Sequence, residues 1–394
     1  MSIPDVVIIA GARTPFARIN GNLASQTAVQ LGTVAIRGAL EKAGVSPDDV
    51  DQVILGQVLQ AGAGQNPAKQ SAVAAGIPWR VPATTLNKVC LSGLAAITDA
   101  ARLIRLGEAS VVVAGGQESM TNAPHLLPGS RAGHVYGSVE LLDHAAADGL
   151  TDAFDHDSMG ASTERFNARY GIERPEQDEI AVASHVRAGA AQAAGVFEQE
   201  IVSVEIPQRK GDPVVVDADQ GVRPDSTVEV LAKLRPAFSA DGSITAGNSS
   251  PLSDGAAAVV VASREWAESK GLPWLALVGA AGQVAGPDNS LHSQPSNAIA
   301  AALEKGGIAA SDLDVVEINE AFAAVSLQST RDLDLSSDIV NMHGGAIAVG
   351  HPIGASGARL ALHAALELTR RGGGNAAVAL CGGGGQGEAL LLSR

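Results

Sequence analysis

Short apolar runs alternate with longer amphipathic segments along most of the chain, beginning with VVIIA at residues 6–10. This alternation predicts strands that alternate with helices, which is typical of α/β proteins with mostly parallel sheets. Residues 121–245 interrupt the pattern with stretches rich in proline, glycine and histidine, such as TNAPHLLPGSRAGHVYGS. We interpret this segment as a long inserted, lid-like unit, which is a common location for binding residues.

Part of the pattern occurs twice. ALEKAGVSPDDVD at residues 39–51 returns as ALEKGGIAASDLD at residues 302–314, 263 positions further on. Each copy predicts a helix end, a capping glycine, a short turn and a strand. Chance similarity of two alanine-rich helices is the alternative, but the shared ALEK, glycine and aspartates favour duplication. Two halves packed about a pseudo-twofold axis would bring the predicted helix starts near Cys90 and His351 to one shared site.

Charge and cysteine content narrow the class of protein. The formal net charge of −15 argues against a nucleic-acid partner and against an anionic membrane surface. Any anionic substrate therefore needs a local positive patch, for which Arg209, Lys210, Arg223, Lys233 and Arg235 are candidates, with solvated loop charge an equally good interpretation. Two cysteines make no disulfide framework, and the start of the chain lacks the features of a signal peptide. These observations favour the cytoplasm.

The segment NKVCLSG contains one of the two cysteines, Cys90, between a predicted strand and a predicted helix. A helix N-terminus favours a thiolate and helps to lower the pKa of a thiol, so Cys90 is a candidate nucleophile. A small buried hydrophobic residue is the alternative. His351, in VGHPIGASG, is a candidate base for such a thiol. Neither HExxH nor CxxC is present in the sequence, so we expect no metal site.

Two further segments carry candidate chemistry. Asn319, in VVEINEAFAA, can hold a water or an oxyanion, although capping of the next helix by Asn319 and Glu320 is the preferred interpretation of this segment taken alone. In VALCGGGGQGEALLLSR, residues 382–387 match GxGxxG, but only seven residues follow, so a dinucleotide-binding helix is rejected. The glycines instead allow backbone N–H groups to approach a ligand beside the second thiol, Cys381.

Taken together, these segments resemble the thiolase family. The motifs GARTPF, NKVCLSG, AGGQESM, DGAAAVVV, NEAFA, GGAIAVGHPIGASG and CGGGGQG occur in family order along the whole chain, and the likeness is greatest to the biosynthetic acetyl-CoA acetyltransferases. The resemblance implies an α/β fold of two duplicated βαβαβαββ halves in a layered α-β-α-β-α arrangement with an inserted loop domain. The implied boundaries are 1–120 with 246–272, 121–245, and 273–394.

The resemblance also implies site roles. Cys90 would take the acyl group, His351 would deprotonate Cys90, and Cys381 would exchange the α-proton of the second substrate. A water on Asn319 with the His351 ring would form one oxyanion site, and the N–H groups of Cys90 and Gly383 the other. The implied coenzyme A contacts are Ser250 and Arg223, and the implied pocket residues are Phe322 and Met159.

The implied activity is the reversible Claisen condensation of two acetyl-CoA molecules through an acetyl-cysteine, with no cofactor beyond the coenzyme A thioesters. A homodimer or homotetramer acting in fatty acid metabolism is implied as well. The alternatives are a degradative 3-ketoacyl-CoA thiolase of broader chain length and a non-catalytic acyl-CoA or lipid carrier. Departures from the family pattern bear on acyl and coenzyme binding rather than on the chemistry: Leu91, Pro251, Ser158, His134, His343 and VAGPDNS in place of MGxGP.

Overall fold

The computed structural model describes residues 3–394. The strands are β1 (Val6–Arg13), β2 (Ala17–Arg18), β3 (Gln52–Gly56), β4 (Ala83–Leu86), β5 (Val111–Ser119), β6 (His125–Leu126), β7 (Leu142–Asp143), β8 (Val204–Ile206), β9 (Val214–Val216), β10 (Ser253–Ser263), β11 (Ala276–Ala285), β12 (Val315–Ile318), β13 (Asn375–Gly382) and β14 (Gln386–Ser393). The helices are α1 (Ala28–Ala43), α2 (Pro67–Ala74), α3 (Ser92–Arg105), α4 (Met159–Tyr170), α5 (Arg174–Ala193), α6 (Val228–Leu231), α7 (Arg264–Ser269), α8 (Gln294–Gly306), α9 (Ala323–Asp332), α10 (Ala346–Val349) and α11 (Ser356–Arg371).

Ten strands form one sheet, in the order β12-β13-β14-β11-β1-β10-β5-β3-β4, with β2 paired to β10. The two halves contribute their strands in equivalent order. Counted outward from the central β11/β1 pair, the first half gives β1, β10, β5 and β3, and the second half gives their counterparts β11, β14, β13 and β12. The central pair is antiparallel, as a twofold axis through the sheet requires. The predicted duplication is therefore confirmed by the strand topology.

The expectation of mostly parallel sheets is wrong. Only the pairs β3/β4, β3/β5 and β12/β13 are parallel, and the remaining pairs of the large sheet are antiparallel. The reason is local in the second half: residues 383–385 join β13 to β14 in a tight turn, and such a turn permits only antiparallel pairing. In the first half, β10 is the counterpart of β14 and is likewise antiparallel to its neighbours, β1 and β5.

Helices α3 and α11 lie together in the middle layer and pack against strands from both halves. The outer faces of the sheet are covered by α1 on the first half and by α8 on the second. Successive residues of β1 show this layering, since Val6 and Ile8 belong to the central cluster whereas Val7 and Ile9 belong to the outer one. The predicted α-β-α-β-α arrangement of two duplicated halves is confirmed.

Residues 121–245, all of which the structure describes, contribute no strand to the large sheet. They form two short hairpins, β6/β7 and β8/β9, together with α4, α5 and α6. The boundaries given above for the three units remain a prediction. Within residues 3–394 we find no helix with both the length and the apolar character needed to cross a membrane.

Candidate active site

Cys90 lies in a constrained turn between β4 and α3. Val89 has a φ of 51°, which is strained for a β-branched residue. Side chains hold the turn: Asn87 Oδ1 accepts from the Val89 N–H at 3.0 Å, and Ser92 Oγ accepts from the Lys88 N–H at 2.8 Å. The predicted position of Cys90 beside a helix start is therefore correct. Its sulfur packs against an apolar cluster that includes Met120 and Ile353.

His351 is buried, and its ring is fixed by Ser356 at the start of α11. His351 Nδ1 lies 2.6 Å from Ser356 Oγ, while that hydroxyl donates its single proton to the Pro352 carbonyl at 3.0 Å. With the hydroxyl donating to this carbonyl, the Ser356 oxygen accepts from the ring, an arrangement that corresponds to the tautomer with its proton on Nδ1. In this tautomer Nε2 carries the lone pair that a general base requires.

Asn319 follows β12 and approaches the same ring. Its Nδ2 lies 3.4 Å from His351 Nε2, and its Oδ1 is buried with no hydrogen-bond partner among the described residues. The neighbouring Glu320 points elsewhere, because its carboxylate binds Ser184, Asn341 and the Ile347 N–H. Asn319 begins no helix, since the next one, α9, starts at Ala323. The capping alternative for Asn319 is therefore not what the structure shows.

A largely apolar cavity of about 530 Å³ brings most of the predicted site residues together. Its lining includes Cys90, His351, Cys381, Gly383, Ser250, Phe322 and Met159. Asn319 adjoins the lining through His351. Cys381 is buried at the end of β13 and packs against Leu291, Phe322 and Val325. The cavity thus lies between the two halves, with one thiol supplied by each.

Arg223 is not among the residues that line this cavity. Like the other four cations predicted as a patch, it is exposed, and Arg209 and Lys210 lie in the turn between β8 and β9. None of these five residues lines the cavity. Solvated loop charge describes Arg209 and Lys210 adequately.

Burial dominates the electrostatics of the thiols. It raises the pKa of Cys90 to about 12, although the backbone N–H groups of Cys90 and Gly383 act in the opposite direction. The expectation that the helix start gives Cys90 a lowered pKa is therefore wrong for the free protein, because desolvation of the thiolate outweighs the N–H groups. Burial and the neighbouring Cys90 also raise the pKa of Cys381.

His351 is affected by burial alone, which lowers its pKa to about 4. At neutral pH the site consequently holds a neutral imidazole and two neutral thiols rather than a thiolate–imidazolium pair. Both predicted N–H groups, those of Cys90 and Gly383, lie against the Cys90 sulfur.

The residues that depart from the family pattern differ in burial, and only some of them line the cavity. Leu91 is fully buried and packs under Gly382, where an added Cβ would come within 2.7 Å of the Leu91 side chain. Pro251 and Ser158 line the cavity, and Ser158 also caps α4 by accepting from the Ala161 N–H. His343 contacts His363 at 3.1 Å and does not line the cavity.

Two functional candidates escaped the sequence analysis. Ser356 orients His351, and its position in HPIGASG parallels Ser92 in CLSG, so the internal repeat held the signal. Glu118, in AGGQESM, accepts from the N–H groups of Val58, Leu59 and Gly354 and so joins the end of β5 to the loop after His351. Burial raises the pKa of Glu118 to about 7 against these three N–H groups.

The fold and the site together define a class of protein: duplicated halves that each supply a thiol to one cavity, with an oriented imidazole between them. Within residues 3–394, no group of three or more histidine, cysteine or acidic side chains is placed to hold a metal ion.

Comparisons with known proteins agree with this class. The Thiolase N-terminal domain model matches residues 6–265, and the Thiolase C-terminal domain model matches residues 272–394. The chain is 59% identical to a probable acetyl-CoA acetyltransferase of Mycobacterium tuberculosis, with 98% of each chain covered. It is 49% identical to an acetyl-CoA acetyltransferase of Chromobacterium violaceum, over 99% of this chain and 100% of that protein. The chain therefore belongs to the thiolase family.

A solved structure agrees as well. The crystal structure of the Bacillus anthracis acetyl-CoA acetyltransferase superimposes with a TM-score of 0.97 at 40% identity, covering 100% of this chain and 99% of that one. The family membership and the fold predicted from the sequence are thereby both confirmed.

Proposed function

We propose that this protein is an acyltransferase that catalyses the reversible condensation of two acetyl-CoA molecules to acetoacetyl-CoA and coenzyme A. One observation carries the proposal: two thiols, those of Cys90 and Cys381, and the imidazole of His351 line a single apolar cavity. The relatives named acetyl-CoA acetyltransferase support the choice of acyl group.

The first half-reaction makes an acetyl-cysteine. As the Cys90 sulfur attacks the thioester carbonyl, His351 Nε2 takes the thiol proton, so the thiolate forms only during attack. The carbonyl oxygen develops negative charge in reach of donors, for which we propose the backbone N–H groups of Cys90 and Gly383 or an Asn319-held water with His351. The carbon–sulfur bond to coenzyme A then breaks, and Cys381 gives its proton to the leaving thiolate.

The second half-reaction makes the carbon–carbon bond. The Cys381 thiolate removes the α-proton of the second acetyl-CoA, and the resulting enolate attacks the acetyl carbonyl on Cys90. The Cys90–acetyl bond breaks, and the Cys90 sulfur recovers its proton from His351. Every group then returns to its starting state. A raised pKa suits Cys381 to this role, because a more basic thiolate abstracts a weakly acidic C–H proton more readily.

The test separates the two thiols. Brief incubation with acetyl-CoA followed by peptide mass spectrometry should place an acetyl group on Cys90, and added coenzyme A should remove it. Cys90→Ala should lose both acylation and condensation. Cys381→Ala should still acylate Cys90, and its condensation rate should fall by about 10²-fold or more, since it lacks the carbon base. Condensation at the wild-type rate by Cys381→Ala would disprove the two-thiol mechanism.

The same protein preparation distinguishes the alternative functions. A degradative thiolase of broader chain length would cleave longer 3-ketoacyl-CoA thioesters faster than acetoacetyl-CoA, and VAGPDNS near the cavity is the feature that favours it. A carrier would bind acyl-CoA without acylation of Cys90. The retention of Cys90, His351, Asn319 and Cys381 supports an enzyme over a carrier.

The remaining parts of the proposal concern assembly and setting. We infer a homodimer or homotetramer acting in the cytoplasm in fatty acid metabolism. The edge strand β4, which is only partly buried and directly precedes the Cys90 turn, supports an assembly across that edge. The mass of the protein in solution measures this directly. Ser250, Phe322 and Met159 are proposed contacts of the substrate on the strength of their place in the cavity lining.

A further inference from the structure

A buried carboxylate, that of Glu388, connects the strand beside Cys381 to the turn that carries Cys90. Glu388 lies on β14 and is fully buried. Its neighbour along the chain, Gly387, pairs with Cys381 in the β13/β14 hairpin. Glu388 Oε2 accepts from Lys88 Nζ at 2.6 Å, and Lys88 is two residues before Cys90. The ion pair therefore joins the two segments that carry the thiols.

The second oxygen of the same carboxylate contacts the helix on the other side of Cys90. Glu388 Oε1 accepts from Thr98 Oγ1 of α3 at 3.0 Å and from Gln283 Nε2 of β11 at 3.1 Å. Because α3 follows Cys90 directly, the contacts of Glu388 fall on both sides of Cys90 in the sequence. One side chain of the second half thus holds the segment of the proposed nucleophile at two points.

The ion pair is also the direct ionic link between the two halves. Within residues 3–394, no other ion pair joins residues 3–120 to residues 273–394. A buried carboxylate that loses its cation is strongly unfavourable, so arrangements in which the two segments separate are disfavoured. A hydrophobic pair of similar size could supply the same stability, and the ion pair is therefore better explained by the geometry that it imposes.

Different contacts hold Cys90 close to His351. Gly93, near the start of α3, packs against the backbone that follows His351. A Cβ on Gly93 would lie 2.9 Å from both the Gly354 carbonyl oxygen and the Ala358 nitrogen. None of these contacts involves the ion pair. The spacing of the first thiol from the imidazole is therefore held by one group of contacts, and its spacing from the second thiol by another.

We propose that Glu388 is a positioning residue that, through Lys88, fixes the Cys90 turn relative to Cys381. The inference rests on the proposed function and extends it to the alignment of the two thiols. In the condensation, the α-carbon of the second acetyl-CoA must lie between its base, Cys381, and the acetyl carbonyl on Cys90. Acetylation of Cys90 depends less on this spacing, because its base is His351. Displacement of one thiol relative to the other should therefore slow formation of the carbon–carbon bond more than acetylation.

Two rates test this role: the rate of Cys90 acetylation by acetyl-CoA and the rate of condensation. In Lys88→Gln we expect acetylation to change by about threefold at most and condensation to fall by about 10²-fold, the usual cost of misplacing reacting groups by about 1 Å. Lys88→Arg keeps the charge and should recover most of the condensation rate. Glu388→Gln should have the same selective effect, and the double variant should be no slower than the slower single variant, because the two residues act as one unit.

Arg174→Gln is the matched control for the loss of an ion pair. Arg174 pairs with Asp178 at 2.7 Å, with side-chain exposures of 21% and 1%, against 27% and 0% for Lys88 and Glu388. Arg174→Gln should destabilise the fold without changing the ratio of condensation to acetylation. A ratio that falls equally in Arg174→Gln, or that keeps its wild-type value in Lys88→Gln, would overturn the proposal.

A chemical measurement separates this proposal from the proposed function. Cys90 and Cys381 are the only cysteines of the chain, so dibromobimane, whose fluorescence develops when both of its arms have bonded to thiols, reports on their spacing without turnover. We expect Lys88→Gln, but not Arg174→Gln, to slow the second alkylation relative to the first. Slower bridging in Lys88→Gln, together with a wild-type protein that neither acetylates nor condenses, would refute the proposed function and leave the positioning role standing. Equal bridging in wild type and Lys88→Gln would refute the positioning role alone.

Discussion

The hydroxyl of Ser356 determines which nitrogen of His351 is free to act as a base. When the serine proton is donated to the Pro352 carbonyl, the Ser356 oxygen accepts from Nδ1–H, and Nε2 lies beside Asn319. Burial lowers the pKa of His351 to about 4 and so keeps the ring neutral at physiological pH. A single buried hydroxyl therefore orients the ring of the proposed base.

Removal of this hydroxyl gives a prediction at the residue scale. Ser356→Ala should lower kcat about 10- to 100-fold, a part of the usual contribution of general base catalysis, with little change in KM. The alkylation rate of Cys90 by iodoacetamide should fall in parallel, because it also depends on proton removal by His351. Ser356→Thr, which keeps the hydroxyl, should recover most of both rates. A normal kcat in a folded Ser356→Ala protein would contradict this role.

One property of a single residue, the pKa of Cys90, was predicted wrongly from the residue types and their positions in the sequence. The identities of Cys90, His351, Asn319 and Cys381 followed from motifs, and most of these side chains line one cavity. The direction of the Cys90 pKa did not follow, because the N–H groups at a helix start are local whereas the desolvation that opposes them comes from residues far away in the chain. Only the packed structure decides between two opposing effects of this kind.

At the scale of elements, the site depends on the close approach of α3 and α11. Their first turns carry the same Ser-Gly pair, Ser92–Gly93 and Ser356–Gly357. A Cβ on Gly93 would lie 2.9 Å from the Ala358 nitrogen, and one on Gly357 would lie 2.4 Å from the Leu94 nitrogen. Both contacts are with backbone, which cannot move aside as a flexible side chain can. The two glycines thus allow the helix starts, and the loops before them, to meet.

Gly357→Ala tests this contact between the helices. The added methyl should force α3 and α11 apart and destabilise the fold by about 1–3 kcal/mol, as overpacking does elsewhere. Displacement of His351 relative to Cys90 should lower kcat by about 10²-fold, the usual cost of misplacing reacting groups by about 1 Å. Urea unfolding and steady-state kinetics measure the two effects.

Gly306→Ala is the matched control for this prediction. Gly306 ends α8, and its closest neighbour is the flexible tip of Leu391 at 2.9 Å. We expect a small change in the free energy of unfolding and normal activity, since alanine also has the higher helix propensity. Equal effects from the two substitutions would show that the approach of α3 to α11 is not critical.

For the whole molecule, the central layer makes the two halves dependent on each other. One continuous hydrophobic cluster contains Leu94 and Ile97 of α3 together with Leu360 and Leu366 of α11. The sheet is also continuous across the β1/β11 pair. Neither half can bury its inner face alone, because the partner helix and strands cover it. We therefore expect the two halves to unfold as one unit.

Separate expression of residues 272–394 tests this dependence. The fragment keeps α11 but loses α3 and the first-half strands packed against it, so we expect exposed apolar surface, strong binding of a hydrophobic dye and no cooperative thermal transition. Addition of a fragment of residues 1–271 should restore the transition if the two halves reassemble. A fragment that melts cooperatively by itself would contradict the dependence.

The sequence by itself determined the local features of this protein. Helix ends such as Gly44 and Gly307, the repeat of ALEK and its turn, and the strand-to-helix position of Cys90 all depend on neighbours within a few residues. For the same reason, short sequence motifs were enough to identify the family and the proposed catalytic residues.

Only the tertiary structure decided what depends on distant parts of the chain. The antiparallel pairs at the centre of the sheet, the approach of Asn319 to the His351 ring and the raised pKa of Cys90 each result from contacts between the two halves or between distant segments. Hydrogen bonds, burial and charge interactions depend on which residues are close in space, so their combined effect at a site is established only when the chain is folded.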